Sequence, residues 1–167
     1  MKFKIASFLL AVTLIGCDKI KDKVNGQLDD QQTSFVEADI EYDGKVEHIA
    51  PNVCNPIRAL NFYTINATTI DNAPTLGVNG TFKNTGEIER SEDTDIFMVF
   101  RKGTGNDDEN LYNSVITGPN FIESKININV TKLEGKIITG TFEGILYNKN
   151  GDSCIVRNGT FDATAKL

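Results

Sequence analysis

The chain has 167 residues, which is the length of a single ordinary domain. Its composition, 40% hydrophobic and 24% charged, is that of a globular protein and excludes a largely disordered chain. The formal net charge of −6 argues against nucleic acid as a partner, because an acidic surface repels phosphate backbones and anionic membrane surfaces.

The N-terminus has the features of an export signal. Lys2 and Lys4 form a short positive region, and residues 5–15 form an 11-residue apolar stretch interrupted only by Ser7 and Thr13. This stretch is too short to span a bilayer, which takes about 20 residues, but it suits the core of a signal peptide. Residues 1–16 are therefore predicted to be a signal peptide.

The end of this stretch, Leu14-Ile15-Gly16-Cys17, resembles the lipobox of bacterial lipoproteins. The resemblance implies that the Cys17 thiol receives a diacylglycerol, that cleavage precedes it, and that acyl chains hold the protein in the lipid bilayer. The alternative is an ordinary cleaved signal peptide followed by a coincidental cysteine. In enteric lipoproteins an acidic residue such as Asp18 favours the inner membrane, whereas in Bacteroidota charged residues there mark surface export, so the membrane and its face stay open.

Residues 17–33 are predicted to be the lipidated cysteine and a flexible tether, because residues 18–33 are polar and have no pattern that buries a face. A coil of this length reaches roughly 22 Å. Loss of Lys2 and Lys4 with the signal peptide leaves 15 basic and 23 acidic residues, a net charge of −8. Residues 34–167 are predicted to form one β-rich domain.

From Ser34 onward the apolar residues recur with a period of two. Ile126, Ile128 and Val130 alternate with polar residues, which is typical of a half-buried strand. Turn signals such as Asn79-Gly80 and Gly118-Pro119 separate the apolar segments. The pattern predicts an all-β fold, an antiparallel β-sandwich or open barrel of about 8–9 strands, since both architectures have the same alternation. The predicted strands are 35–42, 45–50, 58–66, 75–83, 94–101, 111–117, 122–132, 136–147 and 153–165.

Several segments carry more detailed expectations. The continuous apolar run from Ile96 to Phe100 predicts a central strand covered on both faces. In the last segment Ile155, Phe161 and Ala163 have one parity, which places them on a common face, although Arg157 shares that parity. Residues 55–60 are compatible with a short helical turn.

The tripeptide Gly-Thr-Phe begins at residues 80, 140 and 159, where each glycine predicts a bulge or close backbone approach and each phenylalanine the next core residue. Around two of these, Gly140-Thr141-Phe142 and Asn158-Gly159-Thr160-Phe161, residues 124–164 resemble the C-terminal part of small β-rich lipoproteins of Bacteroidota that have no characterised activity. This resemblance implies a β-sandwich or open barrel and no particular chemistry.

Cys54 and Cys154 remain once Cys17 is assigned to lipid, and an even pair in an oxidising compartment predicts a disulfide. A bridge closing a loop of about 100 residues contributes up to about 4.7 kcal/mol in the chain-entropy model. The alternative is two buried thiols.

Catalytic and metal motifs are weak. The single histidine, His48, is interpreted as a half-buried or exposed strand residue, and no nucleophile elbow, zinc-protease or phosphate-loop motif occurs. The acidic loop containing Asp107, Asp108 and Glu109 is a weak Ca²⁺ candidate, with a solvated loop as its alternative. We therefore expect no enzyme and no cofactor.

The sequence thus predicts a membrane-anchored protein of the cell envelope, in the periplasm or at the cell surface, that acts as a non-catalytic binding or structural module. Its partners would be the lipid bilayer, through acylated Cys17, and an unidentified protein or envelope component. An alternative is an inhibitor or immunity lipoprotein against an envelope hydrolase or toxin, with the loop Gly103 to Asn110 as its plug; the acidic surface would steer it to a basic target.

Overall fold

The structure, a computed structural model, describes residues 34–69, 74–91, 94–103, 108–114 and 124–166. These residues belong to one compact unit. The predicted signal peptide (1–16), lipidation site Cys17 and tether (17–33) lie outside the described residues. Within the described part the protein is all-β, with a single 3-10 turn at Asp108–Asn110 and no α-helix, which confirms the predicted fold class.

The described residues form twelve strands, more than the 8–9 predicted. They are β1 (Phe35–Tyr42), β2 (Lys45–Ile49), β3 (Val53–Cys54), β4 (Ile57–Ala59), β5 (Phe62–Thr68), β6 (Thr75–Thr81), β7 (Gly86–Glu89), β8 (Ile96–Arg101), β9 (Leu111–Asn113), β10 (Ile126–Glu134), β11 (Ile137–Tyr147) and β12 (Ser153–Thr164). The short strands β3 and β7 lie outside the predicted segments, and the predicted strand 58–66 is divided between β4 and β5.

All these strands pair in one antiparallel sheet. Nine of them follow the order β2-β1-β12-β11-β9-β8-β6-β5-β3, and this path curls into a half-barrel, an open form of the predicted architectures. The sheet divides along β11, whose first part pairs with β10 while its last residue, Tyr147, pairs with Asn113 of β9. Strand β10 carries β7 on its other edge, and β4 pairs with the first part of β5.

Alternation of side chains explains where the core lies. In β1 the residues Val36, Ala38 and Ile40 are buried while their neighbours face outward. The predicted triplet of β10, residues 126, 128 and 130, is likewise buried. Because each strand presents every second side chain to the same side, the curled sheet encloses one apolar core.

The Gly-Thr-Phe segments of β11 and β12 confirm the prediction of close backbone approach. Gly140 pairs with Phe161, and Phe142 pairs with Gly159, so each phenylalanine lies across from a glycine. The two rings are 6.3 Å apart at their centroids. A β-carbon at position 140 would lie 2.6 Å from the Phe161 ring, so the missing side chains make room for the two rings.

Two local predictions were wrong. Residues 57–59 form strand β4 and pair with β5, where a helical turn was thought compatible with the sequence. In β8 the inward residues are buried, but Phe97 and Val99 are only half-buried, so the strand is not covered on both faces. The run is continuously apolar because its outward residues pack on neighbouring outward side chains, such as Phe62, whose ring centroid lies 6.3 Å from that of Phe97.

Candidate functional site

A groove of about 720 Å³ crosses the outward face of the sheet. Its floor is the cross-strand pair Ile145 and Ile155, which point outward because their neighbours Leu146 and Cys154 are buried in the core. The start of β10 forms one wall, and the residues at the end of β7 form another. We call this feature the outer groove; the polar residues lining it are Glu89, Arg90, Ser124, Lys125, Asn127, Glu143 and Arg157.

Two polar atoms at the outer groove are buried without a hydrogen-bond partner. Ser124 is 2% exposed, and its hydroxyl oxygen has no hydrogen-bond partner among the described residues. The side-chain oxygen of Asn127 is equally unpaired. Leaving such a group unsatisfied costs about 1–3 kcal/mol, so a native fold usually provides a partner. Both atoms are therefore unsatisfied acceptors in residues that line the groove.

The charges of the outer groove have both signs. Arg157 binds Glu41 of β1, with 3.2 Å between its Nη2 and the carboxylate oxygen. Arg90 donates to the carbonyl oxygen of Ile96 at 3.1 Å. Among the described residues, Lys125 forms no ion pair, and the groove carboxylates Glu89 and Glu143 form none either. The groove can therefore form ion pairs with a partner that carries both positive and negative groups.

A β-bulge in β12 determines which residues reach this face. Glu37 of β1 pairs with Thr160, but two residues later Asp39 pairs with Arg157, so β12 contains one extra residue. The pairing with β11 shifts at the same place. Asn158 at the bulge has a φ of 50°, a left-handed conformation that asparagine tolerates better than most residues.

The bulge overturns the parity expected for this strand. Phe161 and Ala163 face the core, as predicted, but Ile155 faces outward together with Arg157. One extra residue reverses the alternation, because the side-chain period of a strand is two. Ile155 and Arg157 thereby become part of the outer groove.

A hydrogen-bonded cluster extends from the bulge across β1 to the edge strand β2. Asn158 donates from Nδ2 to Asp39 at 2.8 Å, and the His48 ring nitrogen Nδ1 lies 2.9 Å from the other Asp39 oxygen. These two hydrogen bonds, first that of Asn158 and then that of His48, lower the pKa of Asp39 below its ordinary value of 3.8.

His48 is an exposed strand residue in the structure, as the sequence suggested. It lies opposite Asp39 in the pairing of β1 with β2, and its Nε2 is 3.9 Å from Glu37. Both described side-chain neighbours are carboxylates, and no Ser or Cys side chain is among its described partners. The arrangement therefore offers a base but no adjacent nucleophile.

The predicted disulfide is not seen: Cys54 and Cys154 are free thiols. Cys154 is buried opposite Leu146 in β12, whereas Cys54 lies in β3, at the far end of the strand order. The two strands are not neighbours in the sheet, so pairing does not bring the thiols side by side. Of the two thiols that the alternative places in the interior, Cys154 is buried and Cys54 is half-buried. Burial raises the pKa of Cys54 to about 11 and that of Cys154 to about 12.

The weak Ca²⁺ candidate is only partly described, because residues 104–107, which include Asp107, lie outside the described residues. Asp108 and Glu109 are exposed in the 3-10 turn, and Asp108 lies 3.7 Å from Lys149. The described part of the chain contains no group of three or more potential metal ligands.

Comparison with protein-family models, curated proteins and solved structures finds no match to this chain. In the described residues, no helix has the length and apolar character needed to cross a membrane.

Sequence reasoning missed the outer groove altogether. Its members come from β7, β10, β11 and β12, and no motif links them. The one local signal is Asn158-Gly159, a pair typical of left-handed backbone, inside a segment read as a continuous strand.

Proposed function

We propose that this chain is a lipid-anchored envelope protein that binds a polypeptide partner, without catalysis, through the outer groove. The observation that carries the proposal is the pair of buried, unpartnered oxygens of Ser124 and Asn127 at the groove wall. A backbone N–H of a bound peptide would satisfy each of them once the side chains of the groove wall move aside.

The chemistry of the rest of the groove favours a peptide as the ligand. The isoleucine pair on its floor offers apolar contact for an aliphatic side chain. Lys125 and Glu143 supply charges of opposite sign at the groove, which suit the mixed side chains of a polypeptide. The absence of tryptophan from the chain removes the strongest stacking platform for a sugar.

Panning a random peptide library displayed on phage against the full chain tests the binding half of the proposal. Enriched peptides should bind in calorimetry, and Ile155→Asp should raise their Kd by about tenfold or more, because it places a charge on the apolar floor. Ile57→Asp is the matched control: Ile57 is a 56% exposed isoleucine on β4, a strand that contributes no residue to the groove. Peptides that bind both variants equally would refute the groove as the site.

The anchor half of the proposal is supported by the lipobox-like segment ending at Cys17 and by the polar residues after it. Metabolic labelling with a palmitate analogue, followed by membrane fractionation, tests it. We expect label and membrane attachment in the wild type and in the control Cys54→Ser, and loss of both in Cys17→Ser. An unlabelled, soluble wild type would refute the anchor.

A further inference from the structure

Four parts of the chain meet at one end of the half-barrel. They are the first described residue, Ser34, the β4–β5 turn, the β10–β11 turn and the residues that follow β12. The Ser34 hydroxyl accepts the backbone N–H of Thr164 at 2.9 Å. Arg58, next to the β4–β5 turn, donates from its backbone to Lys166 at 2.9 Å and from its guanidinium to the carbonyl oxygen of Gly135 in the β10–β11 turn. We call this region, with the turn residue Leu60, the Ser34 end.

Leu60 is the most exposed large apolar residue described, at 89%. Its φ of 58° is left-handed, a conformation that costs a leucine about 1–2 kcal/mol relative to the right-handed one. Ile57, which directly precedes Arg58 in β4, is 56% exposed as well. A strained, solvent-exposed leucine at a hairpin tip contributes nothing to the core, so its position points to a contact outside the molecule.

The same end concentrates positive charge in an acidic chain. Four cations lie there: Arg58, Lys83, Lys136 and Lys166. Lys83 follows Phe82, whose N–H binds the turn residue Asn61 at 2.9 Å, and the carbonyl oxygen of Lys136 accepts the N–H of Ala165 at 2.9 Å. No ion pair joins any of the four to an acidic residue in the described part of the chain.

We infer that the Ser34 end docks on an anionic phospholipid surface, with Leu60 entering the interface and the four cations facing the headgroups. This inference rests on the proposed anchor, because the predicted tether joins the domain at Ser34. A tether reach of roughly 22 Å keeps this end near the bilayer. Tethering gives an effective concentration of about millimolar, so a weak surface contact is enough to orient the domain.

The acidic remainder of the domain strengthens this orientation. An anionic surface repels a domain of net negative charge in most orientations, but it attracts the end where four unpaired cations lie together. Docking at the Ser34 end leaves the outer groove accessible, because its floor lies on an outward sheet face and does not include the residues of that end.

Tryptophan fluorescence tests the inference directly, because the chain contains no tryptophan. The processed protein purified from membranes is placed in vesicles of phosphatidylethanolamine and phosphatidylglycerol. In Leu60→Trp, emission should shift to the blue and be quenched by doxyl-labelled lipid. In the control Val46→Trp, at an exposed position on β2, emission should stay that of a water-exposed residue.

A charge variant separates membrane docking from burial of any other kind. Lys83→Glu with Lys136→Glu, in the Leu60→Trp background, should weaken docking by about 25-fold or more and remove most of the quenching, since each of the two basic residues adds about a factor of five to the affinity for an anionic surface. A blue shift without quenching by the lipid would indicate contact with a second copy, and equal emission from positions 46 and 60 would indicate no contact; either result would overturn the inference.

Two further measurements separate absence of docking from unfolding of the variant and from absence of the lipid anchor. The Tm of Leu60→Gly should be at least that of the wild type, because glycine relieves the left-handed strain; this shows that replacing Leu60 does not by itself unfold the domain. Palmitate labelling reports the anchor separately. If the exported protein carries no lipid, the soluble variants are mixed with the same vesicles: quenching at position 60 alone supports docking, and its absence overturns it.

Discussion

Replacing Gly140 by alanine tests the packing at the centre of the sheet. A β-carbon built there lies 2.4 Å from the carbonyl oxygen of Asn129 and 2.6 Å from the Phe161 ring. Both distances are shorter than any normal contact, and one obstacle is the backbone of a paired strand, which cannot move alone. Overpacking of this kind costs about 1–3 kcal/mol, and we expect the upper end of that range.

Thermal unfolding followed by circular dichroism measures the effect. A loss of about 3 kcal/mol lowers the Tm of a domain of this size by roughly 9–18 °C. Gly103→Ala is the matched control, because no atom lies within 4 Å of its built β-carbon and we expect a change within about 0.5 kcal/mol.

A double-mutant cycle locates the clash. In a Phe161→Leu background the cost of Gly140→Ala should fall by about 0.5–1 kcal/mol, because the ring obstacle is gone while the carbonyl obstacle remains. If Gly140→Ala and Gly103→Ala unfold at the same temperature, the glycine is not required by close approach, and the reasoning is refuted.

Three more predictions concern the bulge and the thiols. Asn158→Ala should destabilise the fold by about 1–2 kcal/mol through left-handed strain and the lost hydrogen bond, and Asn158→Gly by less; equal costs in chemical denaturation would contradict this reasoning. The carboxyl of Asp39 should titrate below 3.8 by NMR, with a higher midpoint in Asn158→Ala. Because its folded-state pKa is lowered, the stabilisation is present above the unfolded-state pKa and is lost as pH falls through the folded-state value; an unchanged midpoint would contradict it. Cys54 and Cys154, with pKa values of about 11 and 12, should resist alkylation until the protein unfolds, and a thiol count in denaturant without reductant should find both; a count without them would show that the disulfide forms.

The fold class was predictable because its signals are local. Alternation in β10 identified Ile126, Ile128 and Val130 as core residues without knowledge of their partners. The Gly-Thr-Phe segments were also informative, since a glycine beside a large aromatic residue indicates a close approach in a sheet.

Pairing was not predictable to the same degree. The bulge in β12 is recognised from the register of two neighbouring strands, and no periodicity marks it except the misplaced parity of Arg157. As a result the parity of the sequence groups Ile155 with Phe161 and Ala163, although it lies on the floor of the outer groove. The disulfide prediction failed for the same reason. The number of cysteines does not show whether β3 and β12, which carry Cys54 and Cys154, are neighbours in the sheet.

By itself, the sequence determined the all-β class, the inward residues of the regular strands and the lipobox-like start, because each depends on neighbours within a few positions along the chain. Only the tertiary structure decided the strand order, the outward turn of Ile155, the outer groove and the cation cluster of the Ser34 end. These features join residues far apart in the chain, such as Arg58 and Gly135, and their contacts follow from how the curled sheet closes on its core.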